Sequence, residues 1–477
     1  LPADNDYKLI MPSNVTYSCL RCGNCCRKWQ VAIDGEEAER ISSLDWSGVL
    51  AGNVFTPSAP GGRPLCQKLP GAERSGENAP GVYSPASDFI RFESSLTHRL
   101  SLDDSGACAF LGADNLCAMH VAKGAGFKPH TCLSYPMKFV YLPGGLVQAC
   151  FSFYCPGVAA GSGAVISPDD AMALVRADHD RVILADRLKL SGDIVIGFDD
   201  MTVINDFLSD FLFDRKNASH HFGPGYQRYA PAWDDVGSTL DFEDRLIVAV
   251  YFMIIISKMA GKLTRNSPDG FREKFTAEIA NRESLVDLLK KCINAKAEAP
   301  VKRYTKLFLV SVSHMVMANR PGVTGLGKAA RVMTGLLKYL IGMGTTKFPD
   351  YGIRTGVRSH SKAVADIHDA QAASLVERYV SHLIFRKRIF YASGMAKGYQ
   401  HILVYYALVK WFAAALAAGK KNSHADISDF IGAIGLVDRE FAYHSAFFEN
   451  IADNDGFMKI LDILFENFSF MKSLLKA

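Results

Sequence analysis

Cysteine is nearly absent from the last two-thirds of the chain: of eleven cysteines in 477 residues, only Cys292 lies beyond residue 155. An excess of charge of one sign is also lacking, with 53 Lys and Arg against 49 Asp and Glu, and a net +4 gives no basis for binding nucleic acid. Long uncharged apolar runs are scarce. Leu246 to Ser257 is shorter than the roughly 20 residues a bilayer requires, and Ile402 to Gly419 carries Lys410 in its middle, as a buried helix of a soluble protein can. No membrane span is therefore expected. The opening Leu1-Pro2-Ala3-Asp4-Asn5-Asp6 is polar and has no signal-peptide core, so a cytoplasmic protein is expected, although a start at Leu is compatible with a removed leader. There is no repeat of fixed period, which disfavours a solenoid, and no G-x-G-x-x-G loop after a strand to cradle an adenosine cofactor.

What is present is a concentration of thiols. Cys19, Cys22, Cys25, Cys26, Cys66, Cys108, Cys117, Cys132, Cys150 and Cys155 all lie in the first third. Disulfide frameworks belong to short secreted chains that cannot build a core, and a chain of this size with 49% apolar residues has no such need. Adjacent Cys25 and Cys26 would also make a strained pair. Metal ligation or redox chemistry in a reducing compartment is the better reading of the C-x2-C spacing.

Composition divides the chain near residue 160, at the small-residue stretch Gly157 to Ala164. The expected fold class is α+β, mostly α: an irregular cysteine-rich metal-binding domain at 1–160, followed by an all-α helical domain at 161–477. In the first part a Gly/Pro-rich insertion at about 51–105, densest from Ala51 to Ser87, rules out a long helix, and it carries the extra Cys66. A hairpin is expected from Lys138–Leu142 and Leu146–Cys150 around Pro143-Gly144-Gly145, returning Cys150 towards Cys132. Downstream, Ser167-Pro168-Asp169-Asp170 reads as a helix start for the run Ala171 to Lys189. Further helices are expected at about 200–214, 239–263, 269–294, 301–319, 326–343, 361–390, 395–418, 425–450 and 455–475.

Thiolates are soft ligands for zinc, copper(I) and iron–sulfur clusters. The C-x2-C-x2-C run of Cys19, Cys22 and Cys25 has the spacing of a bacterial ferredoxin, whose fourth ligand is a remote cysteine followed by proline, as Cys155-Pro156 is here. A [4Fe-4S] centre on Cys19, Cys22, Cys25 and Cys155 is the preferred assignment. A second site is drawn from Cys26, Cys108, Cys117, Cys132 and Cys150, since nine thiols exceed the need of one four-ligand site. Zinc is the runner-up metal. His120 and His130 lie among the thiols, but a histidine near a metal is more often a hydrogen-bonding neighbour of a ligand than a ligand.

The order of Cys19, Cys22, Cys25 and Cys26, then Cys108-Ala-Phe-Leu111, Leu116-Cys117-Ala-Met-His120 and Pro129-His-Thr-Cys132-Leu-Ser-Tyr135-Pro136, resembles the CxxCxxCC family of zinc- or iron-chelating domains over residues 15–160. Within that group the chain is similar to flagellin lysine-N-methylases, which also close the cysteine region on a Cys-Pro, here Phe153-Tyr154-Cys155-Pro156, and continue into a helical part. The resemblance implies an iron–sulfur cluster and S-adenosylmethionine-dependent methylation of lysines on a flagellin-like protein substrate. The radical-enzyme spacing C-x3-C-x2-C is not met, because Trp29 stands where the third cysteine belongs. Three readings follow: a cluster-dependent lysine methyltransferase, an iron–sulfur electron-transfer protein, and a structural zinc module.

Other features have plainer explanations. His220-His221 sits among turn residues, and the lysines from Lys290 to Lys306 suit a solvated helix face. Arg386-Lys387-Arg388 is too short for a nucleic-acid patch. Tyr399, Tyr405, Tyr406, Trp411 and Phe412 have core spacing, and Cys292 reads as a small buried hydrophobe. Asn14-Val-Thr16 and Asn217-Ala-Ser219 fit the glycosylation pattern, which matters only for a secreted chain.

Overall fold

The computed structural model describes residues 7–12, 15–27, 29–46, 48–50, 64–69, 88–213, 240–263, 302–318, 325–348, 351–367, 369–442 and 462–476. The expected helix at 269–294, His220-His221, Cys292, Asn14, Asn217 and most of the Gly/Pro-rich insertion lie outside these residues. The chain forms two compact units, Leu1–Ala185 and Asp186–Ala477.

The first unit is built on a mixed five-stranded sheet. Its strands are β1 (Lys8–Ile10), β5 (Ile90–Ser94), β7 (Met137–Leu142), β8 (Leu146–Phe151) and β10 (Asp180–Leu184), in the order β1-β8-β7-β10-β5. The expected hairpin is β7–β8, in register from Met137 opposite Phe151 to Leu142 opposite Leu146. Nearly every residue of these two strands is buried, which is why they read as apolar runs without alternation. The unit also holds the short strands β2 (Thr16–Tyr17) and β9 (Ala164–Val165), which pair with each other, and the small sheet β3-β6-β4, made of Ala32–Ile33, His98–Leu100 and Cys66–Lys68.

Short helices complete the unit: α1 (Gly35–Ser42), α2 (Ala118–Lys123), α3 (His130–Ser134), α4 (Pro156–Ala159) and α5 (Pro168–Arg176). Asp34 and Glu37 form a capping box on α1. Trp46 is fully buried in a core with Ile33, Ile41, Leu100, Phe110 and Met119, its ring meeting Phe110 edge-on at 5.0 Å. The sequence period continues to Lys189, but the helix stops at Arg176. Asp178 accepts from the Asp180 backbone N–H and the Tyr141 hydroxyl, and residues 180–184 pair with both β5 and β7. The β-branched Val182 and Ile183 gain more from that central strand position than from another helical turn.

The second unit is helical, with α6 (Phe198–Leu212), α7 (Phe242–Leu263), α8 (Lys302–Ala318), α9 (Gly325–Ile341), α10 (Val357–His360), α11 (Ala370–Phe385), α12 (Arg388–Ser393), α13 (Met395–Gly419), α14 (Ile427–Val437) and α15 (Phe468–Leu475). Two hairpins interrupt the all-α expectation: β11–β12 (Arg187–Ser191, Ile194–Gly197) and β13–β14 (Thr345–Phe348, Ile353–Gly356). The expected 361–390 helix begins only at Ala370, where Asp369 caps it. That expected at 425–450 leaves α-geometry after Val437 for a π-turn at Asp438–Ala442, and the last one is broken at Asn467, whose side chain caps α15.

Helix α13 is apolar on all sides because it is the core of this unit. It has the length and composition of a membrane span but is 83% buried over its most apolar window. Tyr399, Tyr405, Tyr406, Trp411 and Phe412 are all buried there. Of its two lysines, Lys397 lies in the first turn and Lys410, in the middle, is satisfied by Glu243 at 2.7 Å and the Leu475 carbonyl at 2.6 Å. A second buried pair joins Arg386 to Asp438 at 2.6 Å.

Candidate metal centre

The loop that carries the first four thiols is shaped by left-handed backbone. Arg21 and Gly23 have φ of 52° and 71°, and Gly23 starts the 3-10 turn Asn24–Cys26, closed by the Cys26 N–H on the Gly23 carbonyl. A Cβ at Gly23 would stand 3.0 Å from the Asn115 side-chain oxygen, so only glycine meets both demands.

The turn is stitched to the Cys108–Cys117 loop. The Cys108 N–H donates to the Cys26 carbonyl at 2.7 Å, and Arg27 Nη2 donates to Asn115 Oδ1 at 2.7 Å. Within that loop the turn Gly112–Asn115 brings Leu111 opposite Cys117, which then leads into α2. Cys132 arrives on α3, held by Thr131 Oγ1 donating to the Ala32 carbonyl and by Glu37 accepting the His130 N–H at 2.6 Å.

Five thiols consequently line one cavity of ≈ 60 Å³: Cys25, Cys26, Cys108, Cys117 and Cys132, beside Trp29, Tyr135 and Lys128. Burial raises the Cys108 thiol to about 12, opposed by the Phe110 N–H and reinforced by Cys117 and Cys25. Burial also pushes Cys132 well up, with Cys108 adding. Cys25 moves the other way. The hydrogen bond from Cys26 lowers it against burial, with help from Lys128, while Cys26 is raised by the same bond, by burial and by Cys108 and Cys132. The cause throughout is burial together with crowding of groups that repel once ionised; a bound cation reverses that balance. This donor chemistry fits a soft metal. Among the described residues no three His, Cys, Asp or Glu side chains close on one point as they stand, so the thiols line the cavity without meeting.

A second gathering surrounds Tyr17. Its hydroxyl is bonded to Cys19 and raised by burial first, then by Cys155, Cys19 and Cys25. Cys155 is raised to about 11 by burial, opposed by the Val158 and Gly157 N–H groups of α4, with Cys22 and Cys25 pushing up. Cys25 is thus electrostatically linked to both gatherings. The stretch Gly157–Ala164, read from sequence as a boundary, is the seat of β2. A Cβ at Gly157 would lie 2.4 Å from the Ser18 carbonyl, and one at Gly163 2.6 Å from the Tyr17 carbonyl.

Not every candidate joins. Cys150 is buried on β8, with its thiol near the Gln148 side chain, and is not among the residues lining the cavity. Cys66, on β4, is half-buried against the core around Trp46. His120 is exposed, and His130 Nε2 donates to the Leu174 carbonyl at 2.9 Å. Tyr17, Tyr135, Trp29 and Lys128 were not singled out from sequence. Only the neighbourhood of Tyr135 to Cys132, before the cis peptide to Pro136, offered a signal.

The fold and site define a thiol-rich α+β unit followed by a helical one. Residues 237–470, most of that helical unit, match the family model described as FliB lysine N-methylase C-terminal domain. Over this stretch the chain is similar to flagellin lysine-N-methylases, which is consistent with a lysine N-methyltransferase. No curated protein and no solved structure matches the chain.

Proposed function

We propose that this chain is a cytoplasmic protein lysine N-methyltransferase that takes its methyl group from S-adenosylmethionine and carries one or two [4Fe-4S] clusters on the thiols of its first unit. The observation that carries the reading is the match of residues 237–470 to a lysine N-methylase domain. The thiol placement supports the cofactor. Cys26, Cys108, Cys117 and Cys132 would hold one centre, and Cys19, Cys22 and Cys155 with Cys25 another. The ten cysteines among the described residues stand as free thiols, which suits a reducing compartment. When bound, a cluster supplies one-electron chemistry and a Lewis-acidic iron to a small ligand. Lys128 offsets thiolate charge beside the cavity, and Trp29 and Phe110 line it with apolar surface. The substrate is a protein bearing accessible lysines, flagellin being the first to try.

The test is anaerobic purification of the full chain with iron and sulfide counting, then incubation with flagellin and S-adenosylmethionine. Iron with matching sulfide, and methyl groups on flagellin lysines by peptide mass spectrometry, are expected. Iron and a reversible one-electron signal without methyl transfer would make it an electron-transfer protein. Stoichiometric zinc without sulfide would make it a structural zinc module.

A further inference from the structure

Helix α9 has one face packed and one bare. On its inner side Gly335 lies against the His314 ring of α8, and Tyr339 reaches His360 of α10 through its hydroxyl. Opposite, Leu326, Ala330, Met333, Leu337 and Leu340 follow one another at spacings of four and three, and all are exposed. Leu326 is 87% exposed, Met333 64% and Leu337 56%. Among the described residues, six of the thirteen exposed large apolar side chains fall between positions 326 and 343. Scattered single exposures need no explanation, but a contiguous apolar stripe does.

Charge identifies the occupant. Between residues 302 and 348 the sequence holds eight Lys or Arg and no Asp or Glu. A second copy of this chain would bring like charges together, which disfavours a symmetric pairing through this face. A lipid-surface helix keeps a solvated charged face opposite its apolar one, whereas the opposite face of α9 is packed on protein. The alternation of four and three is the seam that receives a second helix, knob into hole.

We propose that the outer face of α9 docks an amphipathic helix of a partner protein, with apolar residues at heptad spacing flanked by Asp and Glu. This surface is independent of the methyl-transfer reading and of the thiol site.

The test uses the full chain and a labelled synthetic helix of matching length with Leu and Ile at heptad positions and Glu beside them, compared with the same peptide carrying Lys. Binding is followed by fluorescence anisotropy. The Glu peptide is expected to bind, to weaken with added salt, and to exceed the Lys peptide by about tenfold or more. Leu337→Asp, with Leu326→Asp as a second exposed-site variant, should lose about tenfold or more in affinity with an unchanged circular dichroism spectrum. Met333 and Met343 should oxidise readily in the free chain and be protected by the Glu peptide. Equal binding of the two peptides, no binding of either, unaffected Asp variants, or Met333 already protected in the free chain would each overturn the proposal. So would a dimer broken by Leu337→Asp, or binding to phosphatidylserine vesicles but not to the peptide.

Discussion

The Sγ atoms of Cys25 and Cys26 lie 3.8 Å apart at the end of one 3-10 turn, with the Cys26 thiol bonded to Cys25. Neighbours in sequence thereby become unlike acids: Cys25 is pulled down and Cys26 pushed up by the same contact. In metal-free reduced protein, Cys25 should be alkylated at lower pH than its neighbour. Cys26→Ala removes the donor and should move the Cys25 midpoint upward by about one pH unit, the scale of a single hydrogen bond at ~1.4 kcal/mol. Mass-spectrometric alkylation against pH reads this directly, and an unmoved midpoint contradicts it.

On the proposed reading, thiol placement predicts different roles for different cysteines. Cys132→Ala should strip metal from the cavity set while Cys155→Ala depletes the set around Tyr17, each lowering iron by about half if two clusters are present. Cys150→Ala, which changes only a buried residue on β8, should keep full metal content and lose stability by about 1 kcal/mol. Metal analysis beside urea unfolding checks all three; loss of metal in Cys150→Ala would return it to the ligands.

Much of this was legible in the sequence, and the exceptions have physical causes. The β7–β8 hairpin was readable because two apolar runs flank Pro-Gly-Gly. The central burial of α13 was readable from its aromatic spacing and from an apolar run that only Lys410 interrupts between Ile402 and Gly419. The strand at 180–184 was not, since a helical period and a buried strand both present Val, Ile and Leu, and only pairing with β5 and β7 decides between them. Spacing marked the thiols as a group but gave Cys150 no distinct signature, because its burial within β8 depends on the strands that pair on either side, β1 and β7. Tyr17 and Lys128 reach the thiols only through folding and carry no local pattern.

The Arg386–Asp438 pair is nearly inaccessible to water. Asp438→Ala leaves the guanidinium uncompensated and should cost about 3–5 kcal/mol, whereas replacing both partners with apolar residues should cost much less. A double-mutant cycle by urea denaturation measures the difference; equal losses in single and double variants would refute it.

Two buried imidazoles should make the second unit acid-sensitive. Burial, with Lys306 and His314 nearby, lowers His360 to about 4 against the bond to the Trp411 carbonyl, and burial with Lys397 lowers His401 to about 3. Both folded values lie below the unfolded value near 6.5, so the unfolded chain binds more protons and stability is lost as pH falls from 6.5 towards these values. Each contributes a slope of about 1.4 kcal/mol per pH unit across its window. Asp206 acts in the opposite sense. Burial raises it to about 7, so its contribution is full at low pH and is lost as pH rises through 7. Comparing unfolding free energies of the parent and His401→Leu between pH 4 and 6.5 isolates one slope; parallel curves would exclude the linkage.

The Cys108 amide bound to the Cys26 carbonyl ties two cysteine loops through main chain, within a core around Trp46 that includes Cys108 and against which Cys26, Cys117 and Cys132 pack. The thiols are therefore part of what this core encloses, so replacing one of them disturbs apolar packing as well as donor chemistry, and its effect on folding is inseparable from its effect on anything the cavity holds.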